Sequence, residues 1–250
     1  MLQVQKTKKF GLIGQNIDYS FSKGYFTEKF SKEPFQDCEY ENFDIPKIED
    51  FSEIIKLNPL LKGLNVTIPY KQTVIPYLGK LSTKAAKIGA VNVIRFTKKG
   101  NLKGYNSDSY GFKKSLKTLL QSHHKKALIL GTGGAAKAVA YALEELDILY
   151  TFVTREASEN TIDYNRLNVT TFDNYQIIIN CTPLGTTPNT KDFPLIPYEF
   201  FTEKHIAFDL IYNPSETEFL KKAKKKGAVT KNGMEMLIFQ AEKSWEIWNK

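Results

Sequence analysis

The segment ALILGTGGAA, residues 127–136, constrains the fold of this chain more than any other stretch. A short apolar run, a glycine-rich turn and a helix start follow one another without interruption, which opens a βαβ unit. In such a turn the first glycine, Gly131, permits the tight bend. Gly133 removes the Cβ that would stand against a pyrophosphate, and Ala136 lets the helix lie close to the strand. Backbone N–H groups at the helix start then face phosphate oxygens. Taken alone, a glycine turn answers conformational needs only. Between a strand and a helix, this one predicts a dinucleotide site made by Gly131, Thr132, Gly133, Gly134 and Ala135.

The flanking pattern supports that prediction. From Lys125 onward, strand-like runs at 127–130, 150–154, 175–180 and 206–212 alternate with helical stretches. Continuous apolar strands separated by helices imply a parallel sheet covered on both faces. Upstream, residues 9–13, 40–43, 63–68 and 90–96 read as strands, with helices at 24–31, 48–57 and 83–88. The expected fold class is therefore α/β with two domains. An N-terminal α/β substrate domain takes residues 1–103, and a Rossmann-like, doubly wound parallel-sheet cofactor domain takes 104–233. The apolar spacing of 234–250 predicts a final helix that packs back on the first domain.

Composition narrows the partners. A chain of 250 residues with 42% hydrophobic residues has room for a substantial core. It contains no run of about 18 apolar residues, and its opening MLQVQKTKKF lacks the apolar stretch of a secretory signal. A soluble, cytoplasmic protein is expected. Cys38 and Cys181 lie far apart and outside any Cys/His cluster, so neither a disulfide framework nor a metal site is expected. The net charge of +8 favours anionic partners. Its densest run, KKAKKK at 221–226, stands before Gly227 and suits a helix C-terminus. With no aromatic-interleaved basic motif, small anions are expected rather than nucleic acid or a membrane.

Arg155, Lys71 and Asp108 carry candidate chemistry. Thr154 and Arg155 end the strand where an NAD-binding fold usually carries an acidic residue, about 20 residues past the glycine turn. An arginine fork suits a 2′-phosphate and favours NADP(H), although Arg155 also reads as a solvated strand end and Glu156 follows it. In NVTIPYK, residues 65–71, Asn65 and Thr67 share one strand face that Pro69 terminates, and Lys71 lies just beyond. A loop lysine is ordinarily a surface charge, and Asp108 in GYNSD is ordinarily a helix N-cap. Brought to one carbonyl, the two can donate and recover a proton while hydride arrives from a nicotinamide.

The order of these pieces resembles the shikimate dehydrogenase family along nearly the whole chain. Ser20-Phe21-Ser22 is similar to the family's paired-serine loop, and NVTIPYK to its Asn-Val-Thr-x-Pro-x-Lys motif. Gly89-Ala90-Val91-Asn92, Asn106-Ser107-Asp108 and the glycine turn match three further family segments. Val153-Thr154-Arg155, NCTPLG at 180–185, DLIYNP at 209–214, and Gly233 with Met236, Leu237 and Gln240 match the rest. The resemblance implies reduction of 3-dehydroshikimate to shikimate with NADPH, in a monomer or homodimer. It implies Lys71 and Asp108 as the proton-transferring pair. It implies Ser20, Ser22, Asn65, Thr67, Asn92, Tyr212 and Gln240 as further substrate contacts. Thr154, Arg155, Thr182, Leu210 and Gly233 are implied to join the glycine turn at the cofactor. Taken singly, the serines read as helix caps and Asn92 as a strand-end turn. A quinate/shikimate dehydrogenase using NAD, or a catalytically silent paralogue that binds such ligands, remains compatible with the same residues.

Overall fold

A computed structural model describes residues 7–18, 20–156 and 158–250 of the chain. Residues 1–6, on which part of the reading of the N-terminus rests, lie outside the described residues. The chain divides into two compact units, Met1–Ser107 with Ala241–Lys250, and Asp108–Gln240.

The first unit is a mixed sheet. Strands β1 (Lys8–Gly14), β2 (Cys38–Asp44), β3 (Leu61–Val66), β4 (Lys80–Leu81), β5 (Val93–Phe96) and β6 (Leu102–Tyr105) lie in the order β2-β1-β3-β5-β6-β4. β1 pairs in parallel with both β2 and β3, whereas β5 runs antiparallel to β3 and β6. Helices α1 (Phe21–Phe30), α2 (Phe51–Leu57) and α3 (Thr83–Ile88) complete the unit. Residues alternate between two apolar clusters, with Phe10 and Leu12 in one and Ile13 in the other, as a sheet covered on both faces requires. The expected boundary after residue 103 falls inside β6, whose antiparallel register Val93↔Tyr105 to Phe96↔Leu102 makes it part of this sheet. The turn at Gly100, with φ +78°, closes that hairpin.

The second unit begins with helix α4 (Asp108–Lys117) and continues as β7 (Lys126–Leu130), α5 (Gly134–Glu144), β8 (Leu149–Thr154) and β9 (Thr161–Asp163). Helix α6 (Val169–Asn174), β10 (Ile177–Asn180), β11 (Ile206–Asp209), α7 (Glu218–Lys224), β12 (Val229–Lys231) and α8 (Met234–Trp248) follow. All six strands are parallel in the order β12-β11-β10-β7-β8-β9. Counted from β7, that order is 3-2-1-4-5-6, the doubly wound nucleotide-binding arrangement. Ala127, Ile129, Ile177, Ile179, Ile206 and Phe208 face one helical layer, and Leu128, Leu130, Ile178 and Ala207 face the other. Helix α8 serves both units. Met236 packs in the second, while Ala241, Ile247 and Trp248 pack in the first, where the Trp248 indole donates to the Ile94 carbonyl at 3.1 Å.

Two histidines hold the amino ends of the parallel strands. His124, before β7, accepts from Gln121 N at Nδ1 (2.9 Å) and meets the Lys204 carbonyl with Nε2 (3.1 Å). His205, before β11, accepts from Thr202 N at Nδ1 (3.0 Å) and meets the Phe172 carbonyl with Nε2 (3.1 Å). Both rings are therefore neutral with the proton on Nε2. They are 5% and 4% exposed, and burial pushes both pKa values below the ordinary 6.5. A depressed histidine adds stability above its unfolded pKa and loses it as the pH falls through its folded pKa. Urea midpoints measured from pH 8 to pH 5 should fall more steeply on acidification in the wild type than in His124→Asn/His205→Asn. Equal slopes would refute the assignment. The comparison cancels the opposing contribution of Asp209, whose pKa burial pushes up to about 6 in both proteins.

Candidate functional site

In the first unit, a chain of buried hydrogen bonds links several of the expected substrate residues. Ser20 caps α1, its Oγ accepting from Ser22 N at 3.2 Å. Ser22, 8% exposed, also bonds the Tyr40 hydroxyl. Tyr40 Oη donates to Asn65 Oδ1 (2.9 Å), and Asn65 Nδ2 donates to the Asn92 carbonyl (3.2 Å) and to Ser244 Oγ (3.0 Å). Ser244 Oγ stands 3.1 Å from Ser107 Oγ, which accepts from Asn92 Nδ2 at 2.9 Å, and Asn92 Oδ1 accepts from Ser107 N at 2.7 Å. Burial pushes the Tyr40 phenol far above its usual range, so it remains a donor. A buried polar network of this kind is tolerable only because its members are partnered, and it then fixes side-chain positions.

Beyond β3 the backbone is pinned on both sides. Thr67 N donates to the Ile13 carbonyl (2.9 Å), Tyr70 N to Thr67 O (2.9 Å), and Val91 N to Lys71 O (2.7 Å). The buried Tyr70 ring anchors this turn by donating to the Ile45 carbonyl at 2.7 Å, while Thr67 and Lys71 are half-buried. Lys71 therefore rises from a fixed turn rather than from a mobile loop.

In the second unit, Asp108 is the first residue of α4 and is 6% exposed, one position past the cap. A carboxylate there is favoured by the helix macrodipole. Gly131, at φ +98°, turns the chain out of β7, and its N–H donates to the Val153 carbonyl at 3.0 Å. Helix α5 starts without a side-chain cap or an acidic residue in its first turn. A Cβ on Gly133 would meet no atom within 4 Å, so the place of a side chain stands open at the helix start. Uncapped N–H groups at a helix start suit a phosphate anion. Thr182 lies against the same turn, since a Cβ on Gly131 would stand 3.3 Å from Thr182 Cγ2. Gly233 donates its N–H to the Ile211 carbonyl at 2.9 Å and packs so close to the Leu210 carbonyl that a Cβ would collide with it.

Among the remaining expected residues, Arg155 is exposed beyond β8 and its charge reaches Tyr164, opposing the burial that raises that phenol. Thr154 Oγ1 donates to the Glu156 carbonyl at 2.5 Å, shaping its own loop. Thr132 is exposed, Ala135 and Tyr212 are half-buried, and Gln240 is buried in α8 near Gly111. Ser20, Ser22, Asn65, Thr67, Lys71 and Asn92 thus belong to the first unit, and Asp108, Tyr212, Gln240 and every expected dinucleotide residue to the second.

Residues 12–94 match the family described as shikimate dehydrogenase substrate binding domain. A shikimate dehydrogenase (NADP(+)) of Methanosphaera stadtmanae is 38% identical over 262 aligned positions, covering 97% of this chain and 92% of the relative. This chain belongs to the shikimate dehydrogenase family. The crystal structure of shikimate dehydrogenase from Aquifex aeolicus superposes with a TM-score of 0.86 at 32% identity, covering 97% of this chain and 92% of that one. A quinate dehydrogenase from Corynebacterium glutamicum in complex with NAD superposes with a TM-score of 0.84 at 25% identity, covering 97% and 93%.

Within that family framework, three side chains of the buried network stand out because sequence motifs alone did not single them out for a role. Tyr40, Ser107 and Ser244 join Ser22, Asn65 and Asn92 into one system. Their partners are 15 to 179 residues away in sequence, so no local spacing announces them. The alternation of β2, which turns Tyr40 inward while Glu39 and Glu41 face out, was the available signal. Tyr40→Phe deprives Asn65 Oδ1 of its donor and should lower unfolding stability by about 1–3 kcal/mol in urea titration. No measurable change would show that the bond contributes little.

Proposed function

We propose that this chain reduces 3-dehydroshikimate to shikimate with NADPH, and runs the reverse reaction with NADP⁺. The observation that carries the reading is family membership across 97% of the chain together with an uncapped glycine turn in a 3-2-1-4-5-6 parallel sheet. In open α/β sheets, ligands bind outside the carboxyl ends of the strands where the order reverses, here between β7 and β10.

The roles follow from chemistry. Hydroxyls of Ser20 and Ser22 hold the substrate carboxylate, and Asn65, Thr67, Asn92, Tyr212 and Gln240 bind or orient its hydroxyl groups. A site rich in amides and hydroxyls rejects analogues lacking a hydroxyl, because its own buried groups would be left unpaired. When bound, NADPH supplies the hydride that ends on the carbonyl carbon. The Lys71 ammonium gives its proton to the carbonyl oxygen as that oxygen becomes a hydroxyl, and Asp108 serves the same proton transfer. The pyrophosphate is received by the amides of Gly131, Thr132, Gly133, Gly134 and Ala135. Thr154 and Arg155 receive the adenosine 2′-phosphate, and Thr182, Leu210 and Gly233 line the nicotinamide side. The same reading takes the enzyme as cytoplasmic and as a monomer or homodimer, with small molecules rather than nucleic acid as partners.

A second reading, NAD-dependent oxidation of quinate and shikimate, is favoured by the likeness to the NAD-bound quinate dehydrogenase and by Glu156 beside Arg155. Lys71→Ala separates chemistry from binding. It should lower kcat for shikimate oxidation by about 10²–10⁴-fold with KM little changed, since proton transfer belongs to the transition state. A near-normal kcat contradicts the assignment of Lys71.

A further inference from the structure

The last residues of β10 and β11, Asn180 and Asp209, are register partners, and neither is exposed to solvent. Asp209 is a buried carboxylate held by neutral donors. Its Oδ1 accepts from Asn180 Nδ2 (3.1 Å) and Ile211 N (3.0 Å), and its Oδ2 accepts from Thr217 Oγ1 (2.6 Å). Burial pushes its pKa up to about 6, the mark of an expensive location for a charge. Apolar groups replacing the carboxylate and its side-chain donors together would fill this place at less cost to stability. The carboxylate therefore calls for a reason other than packing.

The reason lies in what the carboxylate holds. Asn180, oriented by Asp209, accepts from Thr182 N (3.0 Å) and Thr182 Oγ1 (2.6 Å) with its side-chain oxygen, and its backbone carbonyl accepts from Leu210 N at 3.0 Å. Thr182 Oγ1 in turn accepts from Leu184 N at 3.3 Å. Ile211, fixed through its N–H, offers its carbonyl to Gly233 N at 2.9 Å. Thr217, which caps α7 by accepting from Leu220 N, ties the far side of the carboxylate to that helix. One side chain thus secures three separate loops, those bearing Thr182, Leu210 and Gly233.

We infer that Asp209 is a positioning residue for the dinucleotide: through Asn180 and Ile211 it sets Thr182, Leu210 and Gly233 in the arrangement that receives the nicotinamide half. The inference rests on the proposed NADPH function and adds to it a residue that touches neither substrate nor cofactor. A purely structural role would predict instead that Asp209 matters for folding and not for the balance between cofactor and substrate binding.

Three variants test it, with NADPH affinity read by enhancement of nicotinamide fluorescence, thermal melting read alongside, and steady-state KM for shikimate measured at saturating NADP⁺. Asp209→Asn keeps an oxygen for Asn180 and Ile211 and should bind NADPH within about threefold of wild type. Asp209→Leu removes the carboxylate acceptor from Asn180, Ile211 and Thr217 and should weaken NADPH binding by about tenfold or more while the KM for shikimate stays within about twofold. Thr217→Val removes only the Oδ2 anchor and should weaken NADPH binding by a smaller factor, which keeps the test decisive if Asp209→Leu does not fold. Wild-type NADPH affinity in the folded variants overturns the inference, as does an Asp209→Asn loss equal to that of Asp209→Leu. If the wild-type chain itself binds no NADPH, the functional reading falls, and the inference falls with it.

Discussion

The parallel pairing of β7 with β10, from Ile177↔Ala127 to Asn180↔Leu130, is the constraint on which the rest of the second unit depends. Because β8 and β11 continue the same register on either side, Val153, Leu130, Asn180 and Asp209 lie level with one another. Every loop that follows these residues leaves from a single edge of the sheet. At the β7–β10 junction, successive connections diverge to opposite faces, and the glycine turn and Thr182 emerge side by side. A register slip of one residue would invert the faces of a strand and carry its loop out of alignment with the others. The core enforces the register, since alternate residues of β7, β10 and β11 fill two separate apolar layers.

The two units solve the same problem in different ways. A ligand bearing many hydroxyls or phosphates needs donors and acceptors that are already in place, because ordering them on binding lowers affinity. In the first unit, a chain of uncharged side chains from Ser22 through Tyr40, Asn65 and Ser244 to Ser107 and Asn92 provides that order. In the second, backbone amides of a glycine turn are fixed by the fold, and a buried carboxylate fixes the loops beyond β10 and β11. The ion pairs Lys32–Glu28 and Lys224–Glu216 lie on the exposed surface and contribute little.

Much of this was legible in the sequence. Apolar strands at 127–130 and 150–154 and the glycine turn between the first strand and its helix specified the nucleotide-binding half, because their pattern is local. The three-residue strands β9 and β12 and the two-residue β4 were not legible, since each is defined by pairing with a neighbour rather than by its own periodicity. The strand expected at 206–212 stops at Asp209, where its side chain turns from the ladder to the loop beyond. Ser20 appears in the structure as the helix cap that its residue type suggests, and the proposed function asks the same hydroxyl to hold substrate. Asp209 stood inside a motif, yet its role depends on partners at 180, 211 and 217, and spacing conveys none of that.

The central claim is that these two units together reduce 3-dehydroshikimate with NADPH. Shikimate oxidation by the purified protein, followed through the absorbance of the reduced nicotinamide with NADP⁺ and separately with NAD⁺, tests it most directly. The account predicts turnover of shikimate with NADP⁺ preferred over NAD⁺. No turnover with either dinucleotide would contradict it.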